Sequence, residues 1–167
     1  MKNNLLIGVL GHQNSGKSKT WYYLFEDTVK TGYYIRQLYL TKTEYVEVFL
    51  INGSPEETGI YVGERLDGVK ARIVLCSMQY TKEVTKTIDY FSDNDYFLYI
   101  QWLNPGHKDQ NDIGYFDYLG IMNFLLALDS TVSIRNGKNP PEDRVQEIAD
   151  YIYGWASSRN LIHTIET

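Results

Sequence analysis

Eight consecutive residues, Gly11-His12-Gln13-Asn14-Ser15-Gly16-Lys17-Ser18, constrain this chain more than any other stretch, because they complete the pattern G-x-x-x-x-G-K-[ST]. An apolar run, Leu5-Leu6-Ile7-Gly8-Val9-Leu10, leads into them and reads as a buried strand. After them Trp21, Leu24, Phe25 and Thr28 recur at helical spacing. A strand, a glycine-bounded loop and a helix in that order can wrap backbone N–H groups around an anion.

The chemistry follows from the residue types. Gly11 and Gly16 permit backbone angles that a Cβ would forbid, so successive N–H groups can turn inward on a phosphate. A helix starting near Gly16 adds unsatisfied N–H groups and the positive end of its dipole. Gly11, His12, Gln13, Asn14, Ser15 and Gly16 then form a cradle. Lys17 would bring a point charge to such a phosphate, and the Ser18 hydroxyl would offer an oxygen to an accompanying Mg²⁺ ion.

These residues resemble the phosphate-binding loop of the P-loop NTPases. The resemblance implies ATP or GTP as ligand, Mg²⁺ as cofactor and Lys17 as the catalytic cation. It also implies that Lys19 and Thr20 offer backbone N–H groups to the α-phosphate.

Length and composition narrow the class. At 167 residues the chain is read as a single nucleotide-binding domain, residues 1–167. A net charge of −5 makes a nucleic-acid partner an unfavourable reading, since that needs a basic face. No apolar run approaches the length of a membrane span, and the stretch after Met1-Lys2-Asn3-Asn4 is too short for a signal peptide. A cytoplasmic protein without a membrane partner is the expectation. The single cysteine, Cys76, lies in the apolar run Ile73-Val74-Leu75 and reads as a small buried hydrophobe. His12, His107 and His163 are too scattered for a zinc site. Fifteen tyrosines suit sheet and helix packing first, and a protein partner or homo-oligomer interface second.

Taken in order, the chain predicts a central strand over 4–10 and a helix over 16–27, with a loop over 28–32. Two strand-like segments, 33–40 and 45–51, are separated by Thr41-Lys42-Thr43-Glu44, too short for a crossover helix, so they should form an antiparallel hairpin. A polar loop over 52–59 and a short helix within 60–68 follow. Strands are expected over 71–78, 96–102 and 131–134. Thr81 could cap a helix carrying Val84, Ile88 and Phe91 inward, and 112–128 should be a long helix burying Phe116, Leu119, Met122, Leu125 and Leu126. Asn139 could cap a last helix with Val145, Ile148, Ala149, Ile152, Trp155 and Ala156 on its stripe. The result is α/β: a three-layer α/β/α sandwich, its six-stranded sheet mostly parallel with one hairpin. Such a hairpin at this point resembles the Ras-like branch of the P-loop fold.

Several expected motifs are broken. Aligning Gly53 with the glycine of a G-domain D-x-x-G puts Leu50 at the metal-holding Asp. Strand ends carry amides instead, Asn52, Gln79 and Gln101, which hold Mg²⁺ less well than a carboxylate. Glu56 or Glu57 can substitute from the loop, or both are solvated charges. Asp93 and Asp95 lie at the wrong end of their strand. The guanine-reading N-K-x-D is absent, and His107-Lys108-Asp109 does not fit its spacing. Residues 133–142 resemble a base-flanking segment of nucleotide kinases, with Arg135 or the Asn136-Gly137 backbone at a base, or else form a plain tight turn. His12 is a candidate water-orienting group.

Three functions remain: a switch or coupling subunit with weak or partner-stimulated hydrolysis, a non-catalytic binding module, and a small-molecule or nucleotide kinase. The candidate switch segments are 28–32, where Thr28 or Thr31 could touch Mg²⁺, and 52–59. The dispersed arginines count against the kinase, which needs an arginine-rich lid.

Overall fold

Strand β1 (Asn4–Gly11) is buried at every position after the first. It pairs in parallel on one side with β4 (Ile73–Gln79) and on the other with β5 (Tyr96–Leu103), which places it at the sheet centre. Both of its faces are therefore covered, which explains why its apolar run is continuous rather than alternating. Leu5, Ile7 and Val9 face a core built with α1 (Lys17–Phe25) and α6 (Glu142–Ser157). Leu6 and Leu10 face a second core built with α4 (Val84–Asp93) and α5 (Ile121–Leu126). This computed structural model describes residues 2–32 and 34–166.

The sheet is mixed, mostly parallel and seven-stranded, with six helices among the described residues. Its order is β2 (Arg36–Tyr39), β3 (Glu44–Ile51), β4, β1, β5, β6 (Ser130–Arg135). The expected hairpin is present, as β2 and β3 pair antiparallel. A seventh strand, β7 (His163–Thr164), adds antiparallel to β3 and was not expected from the sequence. Two short helices, α2 (Pro55–Thr58) and α3 (Val62–Arg65), connect β3 to β4. No described helix is long and apolar enough to cross a membrane.

The helices pack as their periodicity dictates. Trp21 of α1 is fully buried, and its indole N–H donates to Ser77 Oγ on β4 at 2.8 Å. Val145, Ile148, Ile152, Trp155 and Ala156 of α6 are buried against the same core, each large side chain contributing roughly 1.5–3 kcal/mol.

The long helix expected over 112–128 is wrong for its first half: α5 begins only at Ile121. Phe116 is 92% exposed and Leu126 60% exposed, although both were placed inward. Side chains hold the preceding backbone away from helix. Asn104 pairs with both main-chain groups of Tyr115, at 2.7 and 2.8 Å. The Asp117 carboxylate accepts from the N–H groups of Ile121 and Met122 at 2.9 and 2.8 Å, so it caps the helix there. Two expected caps also fail. Glu83 stands at the N-cap of α4, leaving the Thr81 hydroxyl without a partner, and Pro141 rather than Asn139 stands at the N-cap of α6. Tyr33, the expected start of the hairpin, lies outside the described residues.

Candidate functional site

The parallel strands all end along one edge of the sheet, and the Gly11–Ser18 loop closes over the end of β1 there. Such an edge is where α/β sheets bind ligands. Gly16 stands at the head of α1 with φ 107°, a conformation that a side chain strains. The main-chain N–H groups of Gln13, Asn14, Gly16, Lys17, Ser18 and Lys19 find no acceptor among the described residues. They border an open cleft of about 400 Å³ lined by residues 13–19 together with Asn52, Gly53, Glu57, His107 and Lys108. The cleft carries Lys17, Lys19 and Lys108 against one carboxylate, a local positive site on an acidic chain.

Lys17 is almost sealed, 7% exposed, and folded back upon its own loop. Its ammonium donates to the carbonyls of Gly11 and His12 at 3.2 and 2.7 Å and to Gln79 Oε1 at 3.1 Å. Glu57 lies 3.5 Å away. Burial pushes the Lys17 pKa below the ordinary lysine value, and the Glu57 carboxylate pulls it partly back. Ser18 is exposed to the cleft.

One rim of the cleft grips the loop through main-chain bonds. His107 N–H donates to Ser15 O at 2.8 Å and Lys108 N–H to Asn14 O at 3.1 Å. The segment Asn104–Asp109, which contains a cis Asn104–Pro105 bond, is held in turn by Gly137 N–H on Pro105 O at 2.7 Å. A Cβ on Gly137 would stand 2.7 Å from Ser15 O and 3.0 Å from the His107 nitrogen, so only glycine fits where these three loops meet. Below the loop, the Thr20 hydroxyl donates to Gly16 O at 2.9 Å and accepts from Arg144 of α6 at 2.5 Å.

The opposite rim is stitched to itself. Thr31 Oγ1 accepts from the N–H groups of Asn52 and Gly53 at 2.8 and 3.3 Å, and Asn52 Nδ2 donates to Val29 O at 3.0 Å. The two candidate switch segments, 28–32 and 52–59, are thereby one hydrogen-bonded unit. Asn52 Oδ1 is buried there without a partner.

The sequence-predicted residues separate on this frame. Glu57 faces Lys17, but Glu56 turns away: its carboxylate accepts from Gln79 N–H and Thr87 Oγ1, both at 2.6 Å. Burial raises the Glu56 pKa, which those hydrogen bonds oppose. His12 does not face the cleft. Its ring sits edge-on to Tyr80 and Tyr115, at 5.3 and 5.0 Å between centroids, with Nε2 3.4 Å from the Tyr118 hydroxyl. The ring is thus packed among tyrosines, with Nδ1 3.7 Å from the Asp109 carboxylate, and does not line the cleft. Thr20 also departs from expectation, because its N–H donates to Gly16 O at 3.1 Å within the first helical turn. Leu50, at the aligned Asp position, is buried in the core.

Residues 133–142, read as base-flanking or as a tight turn, pair their polar groups within the protein and line a second cleft. Arg135 is held by Glu147 at 2.9–3.0 Å, Asn136 Oδ1 caps Lys138 N–H at 2.9 Å, and Gly137 buttresses the loop. Asp109 accepts from Gly106 N–H at 2.6 Å rather than lining the cleft.

Sequence reasoning missed the gripping rim and Arg144. The rim acts through main-chain atoms, so its side chains carry no chemical signal beyond the glycines at 106 and 137. Arg144 sits inside an apolar helical stripe, and that misplaced charge was the available clue. No protein-family model and no curated protein matches the chain.

Proposed function

We propose that the chain is a P-loop nucleoside-triphosphate-binding protein, taking ATP or GTP with Mg²⁺, and acting as a switch or coupling subunit with slow or partner-stimulated hydrolysis. The observation that carries this reading is the row of unpaired N–H groups at the head of α1, beside the Lys17 ammonium. Unsatisfied donors at a helix N-terminus with a flanking cation suit a phosphate chain better than any neutral ligand.

The donor set fits a Mg²⁺ ion held mainly by phosphate and water. Among the described residues no three His, Cys, Asp or Glu side chains converge, so a fully protein-built cage is not its basis. Ser18 and Glu57 are the residues that would hold the ion, with the orphaned Asn52 Oδ1 beside them. Bound there, the ion would neutralise phosphate charge. Lys17 binds and orients the phosphates, and the gripping rim keeps the donors fixed in direction. The 28–32 and 52–59 unit, joined to the loop side among the described residues through Glu57 and Lys17, is the part free to respond.

A second reading, a non-catalytic binding module, draws on a specific feature: Asn52 follows β3 and Gln79 ends β4, with amides where an acid is needed. The likeness to a G domain rests on the hairpin, which β4 separates from β1 in this sheet.

Calorimetric titration of ATP and GTP, each with and without Mg²⁺, tests the proposal. Micromolar binding of one nucleotide, tightened by Mg²⁺, is expected. Lys17→Ala should weaken it by about 2–5 kcal/mol, the range for losing one partner of a sequestered charge pair. Unchanged affinity in that variant sinks the proposal, and Mg²⁺-indifferent binding without turnover favours the module.

A further inference from the structure

Arg144 is 4% exposed, yet no carboxylate pairs with it among the described residues. Its Nη1 donates to two neutral acceptors, Thr20 Oγ1 at 2.5 Å and Gln101 Oε1 at 3.3 Å, and its Nε has no partner. Glu147, three residues along the same helix, is already taken by Arg135. Arg144 Nη2 lies 3.4 Å from where a Gly16 Cβ would be, so the guanidinium sits directly beneath the loop.

A sealed cation without a counter-ion is costly, and proteins retain one where something offsets it. Tying α6 to α1 does not require a charge, because a neutral donor would serve Thr20 equally well. The same loop carries the unpaired N–H groups of residues 13, 14 and 16–19 and the buried, partnerless Ser15 Oγ. Burial alone lowers the Arg144 pKa, to about 10, with no nearby carboxylate to oppose it.

We infer that Arg144 is the second cation of the anion site, a positioning charge sealed beneath the Gly11–Ser18 loop that attracts a polyphosphate chain together with Lys17. The inference rests on the nucleotide reading and deepens it. It assigns binding energy to the phosphate chain rather than to the base. It also couples occupancy to stability, because the anion supplies the counter-charge that the folded protein lacks. Lys17 is partly neutralised by Glu57, whereas Arg144 is not, so Arg144 is the steadier of the two charges.

Inorganic pyrophosphate, which carries no base, is the probe. Its affinity is measured by calorimetry, and its effect on the thermal midpoint is followed in wild type, Arg144→Lys and Arg144→Gln. Lysine keeps the charge, and glutamine keeps only a neutral donor for Thr20. The wild type should bind and be stabilised, the lysine variant should lie within about threefold of it, and the glutamine variant should bind about tenfold or more weakly with little stabilisation. A structural tie alone would shift the ligand-free midpoint in both variants and leave their affinities equal, which overturns the inference. If Arg144→Gln does not fold, Arg144→Met combined with Gln101→Leu removes donor and acceptor together and replaces it, and wild-type affinity there overturns the inference equally. Failure of the wild type to bind pyrophosphate or nucleotide overturns the nucleotide reading and this inference with it. Nucleotide binding that survives in wild type while the variants match it overturns the inference alone.

Discussion

The two rims of the cleft are built in opposite ways. One rim, 104–109 with 136–138, grips the loop through backbone hydrogen bonds, His107 to Ser15 and Lys108 to Asn14, backed by Gly137 on Pro105. The other, 28–32 with 52–57, is bonded within itself through Thr31 and, among the described residues, meets the loop side through the side-chain pair Glu57 with Lys17. Main-chain bonds in a tight junction hold an angle. A part-exposed ion pair contributes little and breaks readily. The contrast divides the site into a frame that aims the N–H groups and a self-bonded unit tied to it more weakly.

The largest effect should come from breaking the frame. Gly137→Val places atoms where Ser15 O and the His107 nitrogen already stand, and should cost about 2 kcal/mol or more of stability by overpacking. Urea unfolding reads this directly; a loss under about 0.5 kcal/mol would show that the three loops are not packed as described. Next comes the self-stitched unit. Thr31→Val removes the acceptor for Asn52 and Gly53 N–H, and should cost about 1 kcal/mol, chiefly as local opening. Amide exchange should quicken over 52–59 and stay unchanged over 12–18. Equal quickening in both segments would mean the rims are mechanically one.

The smallest effect concerns the single link. Glu57→Gln should tighten metal-free nucleotide by a few-fold, in line with the modest worth of part-exposed ion pairs, and weaken the benefit of Mg²⁺. The same variant has a signed pH consequence. Burial already depresses the Lys17 pKa below the ordinary value of 10.5, so the binding-competent charge is lost as pH rises through that depressed value. Glu57 opposes the depression, and without it the alkaline fall in affinity should move to lower pH. Titrations at stepped alkaline pH check this; a fall displaced upward would contradict the pairing.

Much of the fold was legible because its signals are local. The apolar run of β1, the four-residue connection of the hairpin and the stripe of α6 each reflect burial or chain reach within a short window. The failure at 112–120 has an equally definite cause. The apolar spacing there suits a helix, but the side chains of Asn104 and Asp117 bond the backbone in competing ways, and Asn104 is eleven residues from its partner Tyr115. Phe116 ends up exposed as a result.

The site divided along the same line. Gly11, Gly16, Lys17 and Ser18 were readable because a strand, a strained loop and a helix N-terminus belong to one contiguous stretch, and backbone geometry there follows from residue type. Glu57 and Glu56 are adjacent in sequence, and only the packing of α2 on β4 and α4 sends one to Lys17 and the other to Gln79 and Thr87. His12 lies inside the motif, yet tyrosines from distant segments draw it away. The sequence by itself determined the glycine-bounded loop between strand and helix and its central strand, since both depend on neighbours in the chain. Tertiary structure decided what holds the loop and what charge lies under it. Residues 107, 137 and 144 reach it only when separate strands end at one edge of the sheet, and no local pattern encodes that meeting.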